Sequence, residues 1–475
     1  MKMFLRSLCS LAMLAMWLGT GCLLASCSAL LAPSTPTPSP AVPVTGQPFP
    51  AIEVTRIVTR EVIVTATPAP PTACAPTTTD AAGEIVIGLL APLSQNAVWP
   101  NALAMQAGIS IALDDINAAG GIQGKPLRVV TYDTAGQPEL AARLAERLIT
   151  QECAIGLIGG FLEAPSAAIK GVTERYGMPF IVAQAMADEL TADRPQALFR
   201  VAPAASMIAQ MPSHWLKAVG DFNGDGTTVA VLIAENSAAG DQAVAQADQW
   251  FPADGIAHEA LRVDLPAGDF SPQIARIAAM ENAPDAILLY LAGDAALALQ
   301  RQLLDAGIGP QKGTLLVTGR SALDRPNFWE QIPDGQHTVV GRHGPWGTNL
   351  TSVGQGFVEK YRKYASQWPD AAAFSAYDAV RLLADAAGRA PSLSSTDLIA
   401  ALETTDLELA AGHYSFPYNS QQPPDGELTP AYLWHQWPDP PLLYLQYREA
   451  QQDPATLDII WPPLYRTTDG PVLRP

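Results

Sequence analysis

Cysteine, histidine and basic charge are all scarce in this 475-residue chain. Five cysteines are too few to staple a disulfide scaffold. No metal-ligand spacing joins Cys74, Cys153 and the six histidines, so a metal centre is not expected. Lys and Arg total 28 against 46 Asp and Glu, a formal net charge of −18. Nucleic-acid binding needs basic surface, and that class is excluded. The same acidity gives no electrostatic attraction to an anionic membrane. No Gly-x-Ser-x-Gly elbow and no phosphate loop occurs, so neither an enzyme nor a cofactor is expected.

What is there begins at the N-terminus. Lys2 and Arg6 lead into an apolar run from Leu8 to Leu24, the layout of a secretory signal. Leu24-Ala25-Ser26-Cys27 then matches a lipoprotein box, in which Cys27 receives lipid and becomes the new N-terminus. Cys22 fits less well, because Gly19 stands where a branched apolar residue is preferred. Residues 1–26 are read as the signal, and the protein is expected outside the cytoplasm, lipid-anchored to the bacterial cell membrane. Without Lys2 and Arg6, 26 basic residues face 46 acidic ones, a net charge near −20.

Residues 27–83 are read as a stalk rich in Pro and Thr. Such composition cannot bury enough apolar surface to offset the entropy of ordering. At about 3.1 Å per residue in extended form, the stalk reaches up to ~150 Å. The alternating run from Glu53 to Thr65 has strand-like patterning and no evident partner. Cys74 and Cys153, near the starts of the first and third expected strands, are an even pair in an oxidising compartment. They form either a disulfide or two separate thiols.

From Glu84 onward strand and helix patterns alternate. Glu84–Leu90 is a continuous apolar run suited to a buried parallel strand. Gln106–Ala118 has helical spacing and ends at Gly120-Gly121. Strands are expected at Pro126–Tyr132, Ala154–Ile158 and Pro179–Ala183, with helices at Pro138–Thr150 and Pro165–Tyr176. The alternation restarts at Ser206 and continues through Thr318. The expected fold is α/β, two Rossmann-like doubly wound lobes. In such sheets ligands bind beyond the carboxyl ends of the strands, so two facing lobes make a cleft.

These segments together resemble a known family. They are Ile87-Gly-Leu-Leu-Ala-Pro-Leu-Ser94, Asp115-Ile-Asn-Ala-Ala-Gly-Gly-Ile-Gln-Gly124, Leu157-Ile-Gly-Gly160, Gly177-Met-Pro-Phe-Ile181, Glu189-Leu-Thr191, Phe199-Arg-Val-Ala-Pro203 and Tyr377-Asp-Ala-Val-Arg-Leu-Leu383. In this order, residues 84–405 resemble the extracytoplasmic solute-binding proteins of branched-chain amino-acid (Leu/Ile/Val) ABC transporters. The resemblance implies a type I periplasmic binding protein, or Venus-flytrap: two lobes on a three-crossover hinge. Lobe one is expected from 84–203 with 343–415, lobe two from 204–342 with 416–465, and 466–475 as a tail. It also implies a monomer that captures a small-molecule ligand and hands it to ABC permease subunits. A ligand-sensing module for a membrane receptor is the alternative.

The resemblance also places site residues. Four positions past Gly159, where the family carries a ligand-binding Ser, this chain has Glu163. Met186 stands at the family's Thr, with Gln184 beside it. Trp99 and Asn101 follow the first strand. Tyr290 and Asp294 end a lobe-two strand, and Arg320 lies in the loop where the family supplies an acid. A glutamate near a ligand carboxylate repels it, so an amine, amide or hydroxyl-rich solute fits better than a free α-amino acid. Asp221-Phe-Asn-Gly-Asp-Gly226 matches half a calcium loop, but Leu232 replaces the bidentate Glu, so a turn is the simpler reading.

Overall fold

A computed structural model describes residue 74 and residues 83–94, 99–291, 294–319, 328–365 and 368–475. Cys27, the 53–65 run and Arg320 lie outside the described residues. The first half alternates β1 (Ile85–Ala91), α1 (Trp99–Ala118), β2 (Leu127–Asp133), α2 (Pro138–Thr150) and β3 (Leu157–Gly159). It continues with α3 (Glu163–Tyr176), β4 (Phe180–Val182), α4 (Glu189–Ala192) and β5 (Leu198–Arg200). The strands form one parallel sheet in the order β2-β1-β3-β4-β5. Every residue of β1 is buried, which is why it reads as an unbroken apolar run.

The second half runs α5 (Ala205–Val219), β6 (Val229–Glu235), α6 (Ala238–Trp250), β7 (Ala257–Val263), α7 (Ser271–Ala278) and β8 (Ala286–Tyr290). Then come α8 (Ala295–Asp305), β9 (Leu315–Thr318), α9 (Phe328–Gln331) and β10 (Val339–His343). The chain returns to the first half with α10 (Ser352–Ala365), α11 (Ala371–Arg389), α12 (Ser395–Glu403) and the β11 (Asp406–Glu408) and β12 (His413–Ser415) hairpin. It finishes with β13 (Leu442–Gln446) and β14 (Asp458–Trp461) in the second sheet, whose order is β14-β13-β10-β9-β8-β6-β7. Strands β6 to β10 are parallel, and β13 and β14 are antiparallel additions.

Helices α1, α10 and α11 build the larger core on one face of the first sheet, and α2 and α3 cover the other. Helix α1 crosses α11 at close range. A Cβ at Gly108 would stand 2.3 Å from the Ala373 carbonyl oxygen, so only glycine permits this approach. Cys74 and Cys153 are joined by a disulfide.

Residues 416–437 sit differently from the sequence reading, which gave them to the second lobe. Phe416 and Trp437 belong to the first core, and the His435 ring stacks on Phe199 at 4.1 Å. The reason lies at the edge of the first sheet. Strand β5 has no further strand beside it, and an open edge leaves backbone groups to satisfy. Arg200 N donates to the His435 carbonyl at 2.9 Å and Trp437 N donates to the Arg200 carbonyl at 3.1 Å. The last crossing therefore falls between Trp437 and Leu442, later than the expected boundary between 415 and 416. The 466–475 stretch is also anchored. Trp215 Nε1 donates to the Pro471 carbonyl, and Leu473 N to Oε1 of Gln446.

Candidate functional site

A cavity of about 400 Å³ opens where the carboxyl ends of the two sheets meet. From the first half it takes Ala183 and Gln184 beyond β4, Val201 to Pro203 beyond β5, and the first turn of α11. From the second it takes Gly319 beyond β9 and the end of β10, Gly341 to His343. Phe374, Tyr414 and Trp437 give it aromatic walls. Its volume lies within the range typical of small-molecule sites.

The polar groups are few. Gln184 Nε2 donates to Ser375 Oγ at 2.6 Å and to its neighbour's carbonyl at 2.8 Å, so its amide is fixed by α11. Asp370 caps α11 by accepting from Ala373 N at 2.9 Å. Asn101 lines the cavity from the first turn of α1. The Arg342 guanidinium donates to the Pro345 and Pro369 carbonyls and lies 4.3 Å over the Trp346 ring. It fixes the second crossing.

Beneath the cavity, the Asp378 carboxylate accepts from Ala410 N (2.8 Å), Ala411 N (2.7 Å) and the Tyr414 hydroxyl (2.9 Å). Burial pushes its pKa up to about 7, against the opposing pull of those donors. Asp378 thus holds two wall residues, Ala411 and Tyr414, from behind.

Of the residues expected at the site, Asn101, Gln184 and Met186 come together in this cavity. Trp99 opens α1, and its side chain lies outside the described residues. Glu163 is not among the lining residues. Its Oε1 accepts from Met186 N at 2.8 Å and its Oε2 from Ala187 N at 2.9 Å. Both carboxylate oxygens thus hold the loop after β4, and this replaces the ligand contact expected of Glu163. Arg200 grips the same loop from inside, donating to the Met186 (3.1 Å) and Ala187 (2.6 Å) carbonyls, to Thr191 Oγ1 (2.8 Å) and to Gln436. Burial lowers the Arg200 pKa to about 10, which leaves it charged near neutrality.

Tyr290 lines a second chamber, of about 260 Å³, under the ends of β8, β9 and β10. Asp294 is exposed and lines neither chamber. The Asp221 carboxylate accepts from the backbone N–H groups of Gly224, Asp225 and Gly226, the pattern of a turn holding itself. Among the described residues no His, Cys, Asp and Glu group could hold a metal ion. Sequence reasoning missed Phe374, Ser375, Ala411 and Tyr414. The aromatic richness of the C-terminal part was the signal available for Trp437.

A family model for periplasmic binding proteins matches residues 84–431. The Leu/Ile/Val-binding protein homolog 7 of Brucella melitensis is 23% identical over 370 residues, covering 76% of this chain and 90% of that one. Among solved structures, the branched-chain amino acid transporter substrate binding protein LivJ of Streptococcus pneumoniae, in complex with isoleucine, superposes with a TM-score of 0.55 at 21% identity. That match covers 80% of this chain and 100% of LivJ. A solute binding protein of an ABC transporter from R. palustris, in complex with benzoate, gives a TM-score of 0.53 at 21% identity over 83% of this chain and 98% of its own. At these identities the structural matches establish the fold. With two sheet-built halves, a cavity at their seam and a family match over most of its length, this chain belongs to the periplasmic binding proteins of the branched-chain amino-acid, type I kind.

Proposed function

We propose that this protein is the solute-capturing component of an ABC importer, lipid-anchored through Cys27 outside the cytoplasm and working as a monomer. The observation that carries the reading is the cavity of about 400 Å³ walled by the carboxyl ends of both sheets. A molecule held there touches both halves at once and stabilises the closed arrangement, which permease subunits then recognise. A micromolar ligand supplies about 8 kcal/mol in total, so closure costs less than that. The solute-binding family and the lack, among described residues, of a helix long and apolar enough to cross a membrane agree with a tethered receptor.

The ligand is a small polar solute with an apolar body, such as an amide, an amine or an amino acid. Isoleucine and benzoate, held by the two solved relatives, indicate the size range. Asn101, Gln184, His343 and Ser375 are among the polar residues that line the cavity. The test is mass spectrometry of small molecules released on denaturing natively purified protein, followed by X-ray scattering with the released compound added back. A reproducible release and a smaller radius of gyration on addition support capture. An unchanged profile across that compound and a broad metabolite panel removes it.

A further inference from the structure

The second chamber adjoins the first, and this deepens the capture reading on which it rests. Both are lined by Gly319, Gly341 and His343. Gly341 and His343 are two apart on β10, so they share a face of the sheet. Opposite Gly341 in the antiparallel pairing is Tyr444 on β13. Such cross-strand positions usually bring two side chains together; here one of them is absent. A Cβ at Gly341 would meet only Tyr444 Cε1, at 3.6 Å, so the missing side chain leaves an opening.

Beyond that opening the walls are mostly apolar, from Ile208, Met211, Pro212, Leu289 and Val317, with Gln246 and Thr318 as the uncharged polar neighbours. Among the described residues no Asp, Glu, Lys or Arg lines it. An isolated charge there would lose hydration with nothing to replace it. Two phenols also line it, Tyr290 and Tyr444, and Tyr444 is only 3% exposed. Neither hydroxyl makes a hydrogen bond among the described residues. Burial raises both phenol pKa values, that of Tyr290 to about 12, so both hydroxyls stay protonated and neutral. A hydroxyl that faces a chamber and has no protein partner is free to meet an oxygen of a ligand.

We propose that the ligand is a two-part molecule. Its polar-headed body lies in the main cavity, and a neutral apolar arm passes Gly341 into the second chamber, ending in a hydroxyl, ether or carbonyl oxygen that meets Tyr290 and Tyr444. A compact amino acid would leave this chamber unfilled. An aryl arm of one ring suits its volume of about 260 Å³.

The test is titration calorimetry on the full chain with isoleucine, benzamide and 4-[(4-hydroxyphenyl)methoxy]benzamide. The armed benzamide is expected to bind at least about tenfold more tightly than benzamide. Ile208→Trp, which fills the second chamber from α5, removes that advantage and leaves benzamide binding as it was. Gly341→Leu blocks the opening and also removes it; thermal unfolding checks that both variants fold. The inference is overturned if the arm adds nothing, or if its advantage survives both variants. Binding of isoleucine or benzamide alongside that failure leaves capture standing. Should none of the three bind, the compound released from the natively purified chain decides. A molecule with a neutral apolar arm supports the inference and a compact one overturns it; no released molecule together with an unchanged scattering profile across the metabolite panel removes the inference and the capture reading alike.

Discussion

The Tyr414 hydroxyl donates to Oδ2 of Asp378 at 2.9 Å, joining a cavity wall to a carboxylate that is fully buried. Burial, the largest effect, raises the Asp378 pKa from its ordinary 3.8 to about 7. Between those values the folded chain keeps a proton that the unfolded chain has lost. The contribution of Asp378 to stability therefore falls as pH rises from about 4 to about 7. Asp378→Asn abolishes that slope. It also leaves donors facing an amide group, at a cost of about 1–3 kcal/mol. Urea unfolding of both proteins across this range should show the wild-type advantage narrowing with rising pH. A constant difference refutes the assignment.

Gly108→Ala sets helix propensity against packing. Alanine in a helix interior gains about 1 kcal/mol over glycine. Here its Cβ would enter the Ala373 carbonyl at 2.3 Å, and α11 backbone must move. Overpacking of this kind costs about 1–3 kcal/mol. The variant is expected to unfold at lower urea with an unchanged denaturant slope. A more stable variant would show that α1 and α11 do not approach so closely.

Arg200→Met removes the donors to Met186, Ala187, Thr191 and Gln436 at once. Leaving those buried acceptors without partners costs about 3 kcal/mol or more. The loop after β4 lines the cavity through Gln184 and Met186, so affinity for the released ligand should fall with stability. Glu163→Gln keeps one acceptor oxygen for the loop. It should lower Tm by a few degrees and change affinity little. A large affinity loss without a stability change would return Glu163 to the ligand.

The disulfide between Cys74 and Cys153 closes a sequence separation of 79 residues. Constraint of the unfolded chain over such a loop contributes about 2–4 kcal/mol. The double variant Cys74→Ser, Cys153→Ser should lose that much in chemical unfolding. Reductant should then have no further effect on it. Equal midpoints for the two proteins would argue against a bridge in solution.

Much of the fold was legible because its signals are local. Strand β1 is buried on both faces and announces itself as Ile85-Val-Ile-Gly-Leu-Leu-Ala91. Helix α2 carries Pro at its start and buries Ala141, Ala145 and Leu148 on one stripe. Helix α1 begins earlier than its periodicity indicates. Its first turns are apolar nearly all round, with Ala102, Ala104 and Met105 buried, and show little amphipathic contrast. The site was harder to read, because its contacts are distant in sequence. Glu163 finds its partners 23 and 24 residues on, and Arg200 meets Gln436 across 236. No spacing rule reaches that far. A carboxylate placed by alignment at a ligand position was in fact tying down a loop.

The second sheet takes β13 and β14 from residues 442–461, and Leu473 pins Gln446 from beyond them. A polypeptide made from its N-terminus therefore has all five strands of the first sheet well before β13 and β14 can complete the second. Until those strands arrive, the second sheet has an open edge at β10.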